Sequence, residues 1–311
     1  MRARFTVHDN QREDTRWSPR EFRRLLADKE GVMLSASDKI DAAALDAAPR
    51  LKAVCNVAVG YNNIDLAACT ARGILATNTP GVLDDTTADM TWALLMAAAR
   101  RLPAAERFLR AGQWHGWKND QFLGQDVHHA TLWIIGLGRI GQAVARRARG
   151  FSMKLLYFNR RRLDPKIEKL LGVKFTPLER LLRQADFVSI HVPYSAENHH
   201  LIGAKEIALM KPGAILVNAS RGGMVDDEAL IAVLQEHRIA GAGLDVYQGE
   251  PQLHQGFLAL DNVALAPHIG SATRATRLKM FRLAAKNLTA ILAGKRPPNL
   301  LNPEAWKHRR R

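Results

Sequence analysis

At 311 residues the chain exceeds the size at which one hydrophobic core keeps growing, so two domains are expected. Its 47% hydrophobic and 24% charged content is that of an ordinary globular protein, and no run reaches the roughly 18 apolar residues of a membrane span; Met90 to Ala99 is too short and meets Arg100 and Arg101. A net charge of +15 suits nucleic acid, anionic small molecules or a basic surface, but no helix-turn-helix, zinc-ligand or aromatic-interleaved basic motif accompanies it, so nucleic acid is not an expected partner.

In chain order, Met1-Arg2-Ala3-Arg4-Phe5 holds no apolar secretory core. Gly31-Val32-Met33-Leu34-Ser35 and Ala53-Val54-Cys55-Asn56-Val57 read as strands around a helix. Cys55 and Cys69 stand in no metal-ligand spacing, so reduced thiols, a cytoplasmic location and no metal are expected. A long helix from about Thr86 to Arg101, with Asp84 or Asp85 as N-cap, bridges the domains.

Beyond it, short apolar runs alternate with helix-length amphipathic segments, the pattern of a parallel α/β sheet. The strands are Leu132-Trp133-Ile134-Ile135, Lys154 to Phe158, Asp186 to Val192, Ala214 to Asn218, Ile239 to Asp245 and Asn262 to Ala266. A final helix from about Leu283 returns to the first domain, and the basic end Lys307-His308-Arg309-Arg310-Arg311 reads as a solvated, frayed tail. The expected division is 1–101 with 284–311, and 102–283.

Gly136-Leu137-Gly138-Arg139-Ile140-Gly141 fits Gly-x-Gly-x-x-Gly between a strand and a helix. The first glycine permits the turn, the second lets backbone approach a pyrophosphate, and the third allows close helix–strand packing. At the end of the next strand, where a carboxylate would favour NAD, stand Asn159, Arg160, Arg161 and Arg162. Guanidiniums there suit a 2′-phosphate, so NADPH is expected over NADH, with a solvated basic turn as the alternative.

Three polar motifs follow at later strand ends, where an open parallel sheet binds ligands. Arg221 follows the first, Asp245 and Glu250 the second, and His268 the third. A histidine suits protonation of a carbonyl oxygen during hydride transfer, a carboxylate would orient it, and an arginine fork can grip a substrate carboxylate. Singly, each has a bland alternative as an ion pair, a loop charge or a capped turn.

From about Pro49 to Asn302 the chain resembles the D-isomer-specific 2-hydroxyacid dehydrogenase family, most of all its glyoxylate/hydroxypyruvate reductase B (2-ketogluconate reductase) branch. The resemblance implies a doubly wound, Rossmann-type cofactor domain beside a smaller flavodoxin-like substrate domain. It implies reduction of small 2-oxo acids, with Arg221, Glu250 and His268 as catalytic residues, and a homodimer formed through the cofactor domains. It implies substrate carboxylate binding by the backbone of Val59 and Gly60, and cofactor contacts from Thr86 and from Asp245, the latter near the nicotinamide carboxamide.

Three departures are visible. The family's opening strand and helix have no counterpart before Phe5-Thr6-Val7, so the substrate domain reads as N-terminally truncated and its sheet is expected to have a vacant or rearranged centre. Trp133 stands where the family usually has Gly, and Phe122 where related reductases have a Trp that reaches the partner's active site. A nucleotide-sensing, corepressor-like binder of the same fold is the alternative function, for which a complete Arg, Glu and His set would be unneeded.

Overall fold

The computed structural model describes residues 5–9 and 17–310, so Met1–Arg4 and Arg311 of the readings above lie outside it. It divides into two compact units: the described residues of Met1–Leu83 with Thr273–Arg311, and Asp84–Ala272.

The smaller unit opens with α1 (Pro19–Leu26), whose start is fixed by a reciprocal cap: Ser18 Oγ accepts from Glu21 N–H, and Glu21 Oε2 accepts from Ser18 N–H. There follow β1 (Gly31–Leu34), α2 (Ala42–Asp46), β2 (Ala53–Asn56), α3 (Leu66–Ala71) and β3 (Leu75–Thr77). The strands are parallel in the order β1-β2-β3, and every residue of β2 is buried, as its central place requires. Consecutive strands bond directly, so the sheet has no gap between them. Phe5–Asp9 forms no strand, and β1 pairs with β2 alone, leaving its other edge without a strand among the described residues.

The C-terminal helix starts at Arg274, earlier than Leu283, because Thr273 caps it through Thr276 N–H, and it packs on β1 and β2. The basic end is not a frayed tail. Asn302, buried, bonds Ala76 N–H and the Ile74 carbonyl at 2.9 Å each, and the Arg310 guanidinium donates to the carbonyls of Ala48, Pro49 and Leu51. That one guanidinium therefore satisfies three carbonyls of the loop between α2 and β2.

The larger unit contains α4 (Asp84–Ala99), α5 (Leu102–Arg110), β4 (Thr131–Ile135), α6 (Arg139–Ala148), β5 (Lys154–Phe158), α7 (Pro165–Leu171), β6 (Val173–Phe175), α8 (Leu178–Leu182), β7 (Phe187–Ile190), α9 (Ala204–Ile207), β8 (Ile215–Asn218), α10 (Asp227–Gln235), β9 (Gly241–Leu244) and β10 (Val263–Leu265). Its seven strands are parallel in the order β10-β9-β8-β7-β4-β5-β6, so the winding direction reverses at the β4–β7 pair. Along β4, Leu132 and Ile134 enter one apolar layer while Trp133 and Ile135 enter the other, the two-residue period of a strand buried on both faces.

The boundary falls at Asp84 and Ala272 rather than at 102 and 283, because α4 packs on β8, β9, β10 and α6. Glycines in β9 admit that helix: a Cβ on Gly243 would lie 2.9 Å from the Leu94 carbonyl oxygen. Trp92 secures it further, donating from Nε1 to the Val144 carbonyl at 3.2 Å and stacking on Phe151.

Candidate active site

The glycine turn joins β4 to α6 with each glycine in a different steric state. Gly136 has φ +92°, and a Cβ there would lie 2.6 Å from Val192 Cγ1 and 2.7 Å from the His191 carbonyl carbon. A Cβ on Gly141 would lie 2.2 Å from the Gly136 carbonyl oxygen, so helix and strand meet backbone to backbone. Gly138 faces open space, with nothing within 4 Å of where a Cβ would stand. The N–H groups of Arg139 and Ile140, at the start of α6, donate to no acceptor among the described residues. Together these leave the start of α6 with open backbone donors and no side chain over them, an arrangement that suits an anion.

The basic turn after β5 is not uniform. Asn159 turns inward, its Oδ1 accepting from Leu137 N–H at 2.7 Å, so it braces the glycine turn. Arg162 is engaged by Glu168 through two contacts of 2.8 Å, which takes it out of the trio expected to select the cofactor. Arg160 and Arg161 are exposed and make no hydrogen bond or ion pair among the described residues.

Three loops at the carboxyl ends of β8, β9 and β10 assemble the second part. Asn218, the last residue of β8, accepts from Ser220 N–H and Oγ–H at 3.1 and 2.8 Å and donates to the Arg221 carbonyl at 3.0 Å, so one buried amide shapes the arginine loop. Gly222 presses on the next loop, where a Cβ would lie 1.7 Å from the Tyr247 carbonyl oxygen. Arg221 donates to the Ser220 carbonyl at 2.7 Å; burial lowers its pKa from the ordinary value while the Glu250 charge opposes that.

Glu250 and His268 meet at 2.7 Å, Oε2 to Nδ1, while Tyr247 N–H donates to the other Glu250 oxygen at 2.9 Å. Burial pushes the Glu250 carboxyl up, but the His268 bond and charge, the Tyr247 N–H and Arg221 together hold it below its usual range. His268 has φ +54°, a conformation uncommon outside Gly and Asn. It is held there by its N–H, which donates to the Asp245 and Ala266 carbonyls at 2.9 and 3.1 Å. With Nδ1 taken by Glu250, Nε2 is the ring nitrogen left to meet a substrate.

Asp245, the expected nicotinamide contact, also bonds the chain itself. Its buried carboxylate accepts from Ile269 and Gly270 N–H at 2.7 Å each and so fixes the loop beyond His268. Burial raises its pKa against those two bonds. Thr86 lies in the first turn of α4. Phe122 lies 5.3 Å from the Phe108 ring and under the Arg101 guanidinium.

In the smaller unit, the Val59 and Gly60 carbonyls are taken by the side chains of Asn78 and Asn56 at 2.8 and 2.7 Å. Their N–H groups donate to nothing among the described residues, so this loop also presents donors. Among the described residues no group of three His, Cys, Asp or Glu is placed to hold a metal, and no helix is long and apolar enough to cross a membrane.

The sequence reading missed Asn218, Tyr247 and His191. The first two stand one or a few residues from the motifs that were found, and their roles are hydrogen bonds visible only once strand ends are neighbours. His191, beside the glycine turn, bonds Ser189 Oγ at 2.8 Å, and burial lowers its pKa to about 4, so it stays neutral at ordinary pH.

The family model for the NAD binding domain of D-isomer specific 2-hydroxyacid dehydrogenases matches residues 92–270. A glyoxylate reductase of Thermococcus onnurineus is 51% identical over 289 residues, 92% of this chain and 86% of that protein. One from Pyrococcus horikoshii is 47% identical over 302 residues, 96% of this chain and 90% of that protein. Among solved structures, an NADPH-dependent glyoxylate/hydroxypyruvate reductase from Sinorhizobium meliloti, in complex with NADP and malonate, superposes with a TM-score of 0.83 at 35% identity, covering 92% of this chain and 87% of that one. The chain belongs to the D-isomer specific 2-hydroxyacid dehydrogenase family.

Proposed function

We propose that this protein reduces small 2-oxo acids of the glyoxylate, hydroxypyruvate and 2-ketogluconate class to 2-hydroxy acids with NADPH. The observation that carries the reading is the Glu250–His268 pair at 2.7 Å with Arg221 close enough to act on the same carboxylate. Glu250 keeps Nδ1, so a proton held at His268 Nε2 is delivered to the developing alkoxide. Arg221 grips the substrate carboxylate and polarises the carbonyl. In this reading the N–H groups of Val59 and Gly60 bind a substrate carboxylate. Gly136, Gly138, Arg139, Ile140 and Gly141 seat the pyrophosphate, with Thr86 and Asn159 beside the cofactor, and a nicotinamide bound there supplies the hydride. Asp245 contributes by holding the loop under the nicotinamide. The larger unit is then the cofactor domain and the smaller one the substrate domain.

NADPH preference is supported by Arg160 and Arg161, exposed and without an ion pair among the described residues, and by the absence of a carboxylate at that strand end. A homodimer is supported by five large apolar side chains turned to solvent between Leu102 and Leu123, among them Trp117 at 80% exposure and Trp114 at 57%. A cytoplasmic enzyme is the setting this reading implies.

The test is turnover of glyoxylate and hydroxypyruvate with each nicotinamide. Replacing Arg160 and Arg161 together by Ala should raise KM for NADPH about tenfold, equivalent to about 1.4 kcal/mol, and leave NADH kinetics alone. Equal losses with both cofactors would remove the NADPH assignment; no turnover with any 2-oxo acid would remove the reaction.

A further inference from the structure

The arginine loop and the glutamate turn are bridged by a side chain that belongs to neither. His200, between β7 and α9, has φ +52° and donates its N–H to the Gly223 carbonyl at 2.8 Å. Ile202 N–H donates to the Met224 carbonyl at 3.0 Å, so residues 200–202 run alongside the end of the arginine loop. The imidazole reaches in two directions. Its Nδ1 lies 3.6 Å from Asp226 Oδ2, and Asp226 is itself fixed as the N-cap of α10. Its Nε2 lies 3.0 Å from the Gln248 side-chain oxygen. Gln248 follows Tyr247, whose N–H holds Glu250. His199 stacks on the His200 ring with centroids 3.8 Å apart, which restricts its rotation.

We propose that His200 is a positioning residue for the reaction: it clamps the 247–250 turn to the arginine loop, and so sets Glu250, and through it the His268 imidazole, relative to Arg221. The inference rests on the reductase reading above. A misplacement of about 1 Å in a reacting constellation can cost about a hundredfold in rate. The clamp is not the sole tether, because Gln248 N–H also donates to Asp227 Oδ2 at 3.0 Å. With that bond left in place, the loss on removing His200 should be smaller, roughly three- to tenfold.

His200→Asn keeps a residue that tolerates the left-handed backbone but cannot span to Gln248. Gln248→Ala removes the other end without touching that backbone. Each should lower kcat for glyoxylate about three- to tenfold while KM for NADPH stays within about twofold. If the two form one clamp, the double variant should be no slower than the slower single. Amide hydrogen exchange should speed up in the peptide covering 245–252 and stay unchanged over the glycine turn.

Unchanged kcat with only a lower melting temperature would overturn the proposal, as would multiplicative losses in the double variant or exchange that rises equally everywhere. Should the wild-type protein reduce no 2-oxo acid, the reductase reading fails, and exchange at 245–252 alone decides the clamp: acceleration there supports it, no change refutes it.

Discussion

Two carboxylates of the larger unit are paired with a cationic or protonatable side chain at nearly the same distance, yet they are held in different ways. Glu168 takes two contacts of 2.8 Å from Arg162 and a third of 2.5 Å from the Tyr157 hydroxyl. Arg162 first and Tyr157 second lower its pKa to about 2, and burial pushes the Tyr157 hydroxyl up to about 12. Glu250 meets His268 at 2.7 Å, but the largest influence on it is burial, which works against its charge. The first carboxylate is an ionic lock with every influence but desolvation pulling the same way. The second is held below its usual range by His268, the Tyr247 N–H and Arg221 acting together against burial. Proton handling at ordinary pH calls for the second kind, and fold stability is served by the first.

The largest expected effect separates the two. Glu250→Gln should lower kcat for glyoxylate by roughly a hundredfold, since it leaves the imidazole without its anionic partner. Glu168→Gln should leave kcat within about twofold and lower the melting temperature instead. Similar kcat losses in both would erase the distinction.

A second expectation concerns pH. The folded-state pKa of Glu168 is depressed from 4.5 to about 2. Its contribution to stability is therefore complete above pH 4.5 and fades as pH falls through about 2. Unfolding midpoints of wild type and Glu168→Gln should differ at pH 7 and converge near the acid end. A gap that persists undiminished at pH 2 would mean the pair acts through packing rather than charge.

The smallest effect concerns a buried polar group with no partner at all. Trp133 is fully buried, and its Nε1 has no hydrogen-bond partner among the described residues. Trp133→Phe leaves a cavity but relieves an orphaned donor costing about 1–3 kcal/mol. The two terms oppose each other, so the melting temperature should move by no more than about 3 °C. A fall of ten degrees or more would show that the indole's bulk outweighs its unsatisfied N–H.

What the sequence made legible follows the same division between local and assembled features. The glycine turn was readable because its requirements are met within six consecutive residues, and Gly136, Gly138 and Gly141 each meet theirs as spacing implied. Arg221, Glu250 and His268 were readable as strand-end motifs, and the contact between the last two follows from β9 and β10 being neighbours. The commitment of Arg162 to Glu168 was not readable, because three adjacent arginines look alike until α7 places a buried carboxylate beside one of them. The placing of α4 was also hidden. Its sequence is apolar around most of its circumference, and only the glycines of β9 reveal which sheet it seats on.

The contact between Gly222 and the Tyr247 carbonyl has a consequence for how such a protein can change. With 1.7 Å between that oxygen and any added Cβ, no side chain can be introduced at 222 unless the 247–250 turn moves first. Mutations in these two loops are therefore coupled in order as well as in effect: the turn has to yield before the glycine can be replaced. A library that randomises position 222 alone should return glycine almost without exception, whereas one that varies 222 and 247–250 together opens routes that single steps cannot reach.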